Sequence, residues 1–139
     1  MSMERTEIRE NIMKLLFDAE FYDAAEGDEQ AEMYLDGLEN LDADDREEMQ
    51  TKFDEVRGNR VFIDAIINKY AKGWKTERMN KADLSILRLA IFEMLYDEKV
   101  PVKVAINEAV ELSKKYSSEN GPAFINGILG KVAREEANA

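Results

Sequence analysis

Catalysis by a pair of carboxylates is the one enzymatic class that this sequence leaves readily open. Its candidates are Glu93 and Glu108, each flanked by apolar neighbours. A carboxyl group acts as a general acid only when an apolar pocket raises its pKa. A carboxylate on the polar side of an amphipathic helix is ordinarily just solvated, which is the favoured reading for both. Other chemistries lack their residues. The 139-residue chain has no cysteine and no histidine. That excludes thiol nucleophiles, disulfides, zinc sites with Cys or His ligands, and Ser-His or Cys-His pairs. No phosphate-cradling glycine loop, nucleophile elbow or calcium-binding loop occurs, and the Glu-x-x-His pairs of helical metal sites cannot be completed. The sequence therefore predicts a binding protein with no catalytic residue, metal or cofactor.

Binding groups are abundant, and their distribution is uneven. The net charge is −11. Residues 1–58 hold 19 acidic and 6 basic side chains, a net of −13, whereas residues 59–139 hold 11 acidic and 13 basic ones, a net of +2. Charges farther apart than a Debye length, about 8 Å at physiological salt, are largely screened, so a local basic site can coexist with an acidic whole. The acid-rich first half reads most simply as a solvated face. No stretch approaches the roughly 20 apolar residues of a membrane span. The start, Met-Ser-Met-Glu-Arg-Thr-Glu, has no hydrophobic leader. With no cysteine either, a cytoplasmic location is expected.

Helices must position these groups, because long stretches repeat apolar residues every 3.6 positions and none alternates with period two. A first helix is predicted over about Glu4–Asp23, with Ile8, Ile12, Leu15 and Leu16 inward. A second follows Gly27 with Asp28 as its cap. A longer third helix starts near Asp44, where Glu47 gives the spacing of a capping box, and carries Met49, Phe53, Val56, Ile63, Ile67 and Tyr70. Gly58 inside it marks a place for a kink or break. Trp74 reads as a cover over the seam between two halves. Asn80 caps the next helix, which is apolar around so much of its circumference from Leu84 to Leu95 that it should be the central one. Pro101 and Pro122 open the last two, with Phe124 or Ile125, Ile128, Leu129 and Val132 inward. The predicted fold is all-α. It is a compact bundle of about six to seven helices forming one domain over 1–139, with sub-bundles at about 1–72 and 73–139.

Read as words, the second half becomes specific. Leu87-Arg88-Leu89-Ala90-Ile91-Phe92-Glu93-Met94-Leu95-Tyr96 resembles the central helix of the NusB family of antitermination factors. Val100-Pro101-Val102-Lys103-Val104-Ala105-Ile106-Asn107-Glu108-Ala109-Val110-Glu111-Leu112 is similar to that family's most characteristic stretch. Lys114-Lys115-Tyr116 and Phe124-Ile125-Asn126-Gly127-Ile128-Leu129-Gly130-Lys131 complete it in order and spacing. The match is close over roughly residues 74–131 and looser before, through Arg9-Glu10, Leu16-Phe17 and Glu20. Each word has a structural explanation too: its apolar positions are core, and Gly127 allows close helix packing.

The resemblance implies a non-catalytic protein that pairs with the ribosomal protein NusE, binds single-stranded boxA-type RNA and joins the RNA polymerase elongation complex in ribosomal RNA transcription. It implies an RNA side made from an N-terminal arm, here Arg5, Arg9 and Lys14, and from the loop into the last helix, here Lys114, Lys115, Asn120, Phe124 and Lys131. Phe124 serves either as a base-stacking ring or as core. Asn120 stands where relatives are often acidic, which repels phosphate less. Phe17 and Asp83 match the family's contacts to NusE. The arm departs from the pattern, since Glu4, Glu7 and Glu10 interleave its arginines. RNA binding by the chain alone is expected to be weak, with the partner supplying positive charge. A homodimer is expected where that partner is absent. Two other readings remain: a protein-interaction module whose RNA binding is weak or lost, and a NusB-like domain of the kind that precedes a ribosomal RNA cytosine methyltransferase.

Overall fold

The computed structural model describes residues 3–73 and 75–137. They form seven α-helices, and no strand occurs among them. The chain divides into two compact units, Met1–Arg57 and Gly58–Ala139. Trp74, expected over the seam, lies outside the described residues.

The first unit holds α1 (Arg5–Ala19), α2 (Ala24–Asp36) and α3 (Ala43–Gly58). Its core is the predicted apolar stripe: Ile8, Ile12, Leu15 and Leu16 from α1, Ala31 and Leu35 from α2, and Met49, Phe53 and Val56 from α3. The first helix is shorter than its periodicity suggested. It ends at Ala19, and Asp23 rather than Asp28 caps α2, its carboxylate accepting from the Glu26 N–H at 2.9 Å. Gly27 thereby falls inside the first turn of α2. The Arg57 guanidinium crosses that turn, bonding Asp28 at 2.5 Å and the Ala24 carbonyl at 3.2 Å, and a Cβ at Gly27 would stand 3.0 Å from it. At α3 the cap is Asp42, which accepts from the Asp44 N–H at 2.7 Å, in place of the expected capping box at Asp44.

The expected long third helix is two. It stops at Gly58, Asn59 leaves helical geometry (φ −104°, ψ 11°), and α4 runs over Arg60–Tyr70. The unit boundary falls here, ahead of the boundary near residue 72 that the sequence suggested. The reason is packing: α4 lies against α5 and α7, so its apolar stripe of Ile63 and Ile67 belongs to the second core. The stripe kept its phase across the break, and phase alone does not reveal which core a helix joins.

In the second unit, α5 (Lys81–Tyr96) is the hub and packs on α4, α6 (Val102–Tyr116) and α7 (Gly121–Val132). Asn80 caps α5 as predicted, accepting from Ala82 N–H at 2.8 Å and Asp83 N–H at 3.3 Å. Thirteen of its sixteen residues are buried, which is why it reads apolar nearly all round. Among them is Arg88, whose Nε and Nη2 donate to the two carboxylate oxygens of Asp64 on α4 at 2.8 and 2.7 Å. Between α4 and α5, Gly73 takes φ +81°, a conformation that favours glycine, and a 3₁₀ turn follows at Thr76–Arg78. After α7 the chain widens into a π-turn at Ala133–Ala137. Glu136 there accepts from the Tyr70 hydroxyl at 2.5 Å and from Lys69 at 3.2 Å. Those two bonds hold its carboxyl below the usual range.

Candidate RNA and partner interfaces

The expected site residues fall into two groups, one in each unit. In the second unit they gather at the corner between α6 and α7. Lys114 and Lys115 occupy the last turn of α6 and are exposed. Lys114 pairs with Glu111 at 2.7 Å with both side chains more than half exposed, a contact worth under about 1 kcal/mol and readily surrendered to a phosphate. Asn120 is exposed, and although it stands at the N-cap position of α7 its side chain makes no capping bond. Pro122 starts the helix as predicted. Of the two aromatic or aliphatic candidates behind it, Ile125 is the core residue, at 0% exposure, and Phe124 is only partly covered.

Phe124, Gly127 and Lys131 are spaced by three and four residues, so they follow one another along one face of α7. Lys131 stands about 10 Å along the axis from Phe124. Gly127 does not serve close helix packing: it is exposed, and a Cβ there would meet nothing within 4 Å. A glycine in an open helix interior costs about 1 kcal/mol relative to alanine, and here no neighbour accounts for it.

This corner is held by α5. Asp83 is 8% exposed, and its carboxylate accepts from the Ser117 hydroxyl at 2.5 Å. Ser117 lies close enough to the backbone of Gly121 that a Cβ at that position would overlap its side chain. Asp83, Ser117 and Gly121 thus form a brace under the loop that carries Asn120. Sequence reasoning placed Asp83 on a partner surface, whereas the structure turns it inward. It missed Ser117, whose only signal was its place just after a helix that ends in two lysines.

In the first unit the candidates line α1. Arg5 is exposed and forms a bidentate pair with Glu48 on α3. The Glu48 carboxyl is held below its usual range, first by that hydrogen bond and then by the charges of Arg5, Lys52 and Arg9. Arg9 is only 7% exposed, so it offers little surface to a phosphate. Lys14 is half-buried and lies 3.7 Å from Glu10. Phe17 is partly covered and meets Phe21 edge-on, ring centroids 5.2 Å apart, and Phe21, Tyr22 and Met33 are exposed. Beside them, burial raises the Asp18 carboxyl, and the charge of Lys14 partly offsets it.

The carboxylates singled out for catalysis are not the solvated groups that the sequence favoured. Glu93 is 2% exposed within α5, and Glu108 is half-buried on α6. Both already take part in interactions within the protein. Among the described residues no group of three acidic side chains could hold a metal ion, and no helix is long and apolar enough to cross a membrane.

An all-helical fold of two units, with a cationic, amide- and aromatic-bearing corner on the second, defines a class of binding proteins. Its particular family follows from comparison. Residues 6–134 match the NusB family, and the chain belongs to it. It is 46% identical over 130 residues to the transcription antitermination protein NusB of Lachnoclostridium phytofermentans, covering 94% of this chain and 98% of that one. The solved structure of T. maritima NusB superposes with a TM-score of 0.85 at 34% identity, covering 99% and 95%. A structure of the antitermination factors NusB and NusE in complex with double-stranded RNA shares the fold, with a TM-score of 0.82 at 21% identity over 94% of this chain and 96% of that one.

Proposed function

We propose that this protein is a non-catalytic antitermination factor that binds boxA-type RNA together with NusE and acts on elongating RNA polymerase in ribosomal RNA transcription. The observation that carries the reading is the α6–α7 corner: Lys114 and Lys115 beside a free-standing Asn120, followed by the Phe124–Gly127–Lys131 face. Single-stranded RNA is held by cations on its phosphates and rings under its bases, each stack contributing about 1–3 kcal/mol. The names of the close relatives support the antitermination reading, and the neighbour solved with NusE and double-stranded RNA shares the fold.

Arg5 and Lys14 are the arm's contribution, and Arg9 acts through Glu48 rather than on RNA. Because Glu48 neutralises Arg5, the arm adds little cationic charge, and NusE supplies what is missing. Phe17, with the neighbouring Phe21, is the protein-partner contact. In NusE's absence this exposed apolar group favours a homodimer. Asp83 contributes by bracing the RNA-binding corner.

The test is an anisotropy titration of a labelled boxA RNA with the protein alone and with NusE, using a duplex of the same sequence as competitor. Salt-sensitive binding that strengthens with NusE and drops about tenfold or more on Phe124→Ala supports the reading. An absence of RNA binding even in the mixture would overturn it in favour of a protein-interaction module.

A further inference from the structure

A second cationic surface lies on the second unit, made of residues that the RNA reading does not use. Thirty of the 139 residues are acidic, yet the outward face of α4, made of Arg60, Val61, Phe62, Ala65, Asn68 and Lys69, carries no carboxylate. Residues 58–81 hold six basic and two acidic side chains, a net of +4 within a chain of net −11. Of the two acids, Asp64 is already committed to Arg88, and Glu77 is exposed in the turn beside Arg78, where three cations outnumber it.

The chain after α4 folds back onto this face. The Thr76 N–H donates to the Asn68 side chain at 2.9 Å, and the 3₁₀ turn packs on α4. Lys72, Lys75 and Arg78 are exposed along this return. Lys69 is committed to Glu136 at 3.2 Å. Among the described residues Arg60, Lys72, Lys75 and Arg78 enter no salt bridge, so four cations remain for an outside anion. On the same helix as Arg60, Phe62 is 66% exposed and Val61 79% exposed, an apolar platform.

Cations outside any salt bridge, on one surface with an exposed ring, are what a sugar–phosphate strand and its bases require. We infer that the outward face of α4, with Lys72, Lys75 and Arg78 beyond it, forms a second single-stranded RNA contact, which takes up nucleotides flanking the segment held at the α6–α7 corner. The inference rests on the proposed RNA reading and extends it to a longer RNA. Phosphates sit on Arg60, Lys72, Lys75 and Arg78, and Phe62 stacks a base.

The test compares two fluorescein-labelled single-stranded RNAs, a minimal boxA oligonucleotide and the same sequence extended at both ends, each titrated with the full chain plus NusE at several salt concentrations. The extended RNA is expected to bind more tightly. The triple substitution Lys72→Gln, Lys75→Gln, Arg78→Gln should lower its salt slope by about 2, at roughly 0.7 per phosphate contact on a single strand. Phe62→Ala should weaken it about tenfold. Neither should alter binding of the minimal RNA or the melting temperature, since all four side chains are exposed. If both variants bind the extended RNA as the unsubstituted protein does, while Phe124→Ala still weakens both RNAs, the α4 surface is not an RNA contact although the main reading stands. If the unsubstituted complex binds neither RNA, both fall. Loss of sedimentation with anionic phospholipid vesicles in the triple variant, with RNA affinity intact, would assign the surface to a different anion and overturn the inference.

Discussion

The two units differ in how much charge they carry and in where they pair it. The first carries 19 of the chain's 30 carboxylates and keeps the pairs Arg5–Glu48 and Arg57–Asp28 at the surface, although it too covers Arg9 and Asp45. The second has a small positive balance and places an arginine–carboxylate pair, Arg88–Asp64, under cover at 8% and 19% side-chain exposure. It also commits Asp83 to a buried bond with Ser117. Net charge summed over the whole chain hides this. Read locally, one unit is strongly acidic and the other slightly basic. The comparison also warns against reading every charged residue as a surface contact, because the second unit's most constrained charges are structural.

The largest contrast is expected from removing one arginine in each unit. Arg88→Ala leaves Asp64 without its bidentate partner and should destabilise the second unit by about 3–5 kcal/mol in urea denaturation. Arg57→Ala removes an exposed pair with Asp28 and a cation–π contact to Phe53, 4.8 Å from the ring centre, and should cost about 1–2 kcal/mol. Comparable losses would mean that the units do not differ as described. Gly121→Ala comes next: with Ser117 in the way it should cost about 1–3 kcal/mol. Relief by Ser117→Gly in the same chain would show that the brace is the cause.

Gly127→Ala inverts the sign. Filling an open helix position should stabilise by roughly 0.5–1 kcal/mol while weakening RNA binding, measured by thermal melting and anisotropy on one preparation. A gain in stability with no change in RNA affinity would remove the Phe124–Lys131 face from the site.

The smallest effect concerns pH. Glu48 has a folded-state pKa below its ordinary value of 4.5, so its pair with Arg5 stabilises the first unit above that value and the contribution is lost as pH falls through the lowered one. Stability measured from pH 6 down toward 3 should therefore fall less steeply in Arg5→Gln than in the unsubstituted chain. Identical slopes would show that the pair contributes nothing.

Much of this was legible in the sequence. The apolar stripe from Ile8 to Leu16, the all-round apolarity of α5, the Asn80 cap and the Pro122 start are local signals, and the structure follows them. Boundaries were harder. Asp23, Asp28, Asp42 and Asp44 are all competent caps, and only tertiary packing selects among them. The break at Gly58 was foreseen as a place but not as a division between cores, since periodicity records a helix's phase and not its destination. For the candidate site, the words around Lys114 and Phe124 name residues that the structure brings to one corner. What they could not reveal is direction: that Ile125 rather than Phe124 fills the core, that Asp83 faces Ser117, and that Arg9 is covered. Those depend on contacts between elements far apart in sequence, as does the uncovered surface of α4.

On the proposed reading RNA is received chiefly by the α6–α7 corner, with only a minor contribution from Arg5 and Lys14 of the acid-rich first unit. Photo-crosslinking a 4-thiouridine-labelled boxA RNA to the protein–NusE complex, followed by mapping of tryptic peptides, tests it directly. The account predicts crosslinks within residues 116–131, lost on Phe124→Ala. Crosslinks confined to residues 1–57, or found only on NusE, would contradict it.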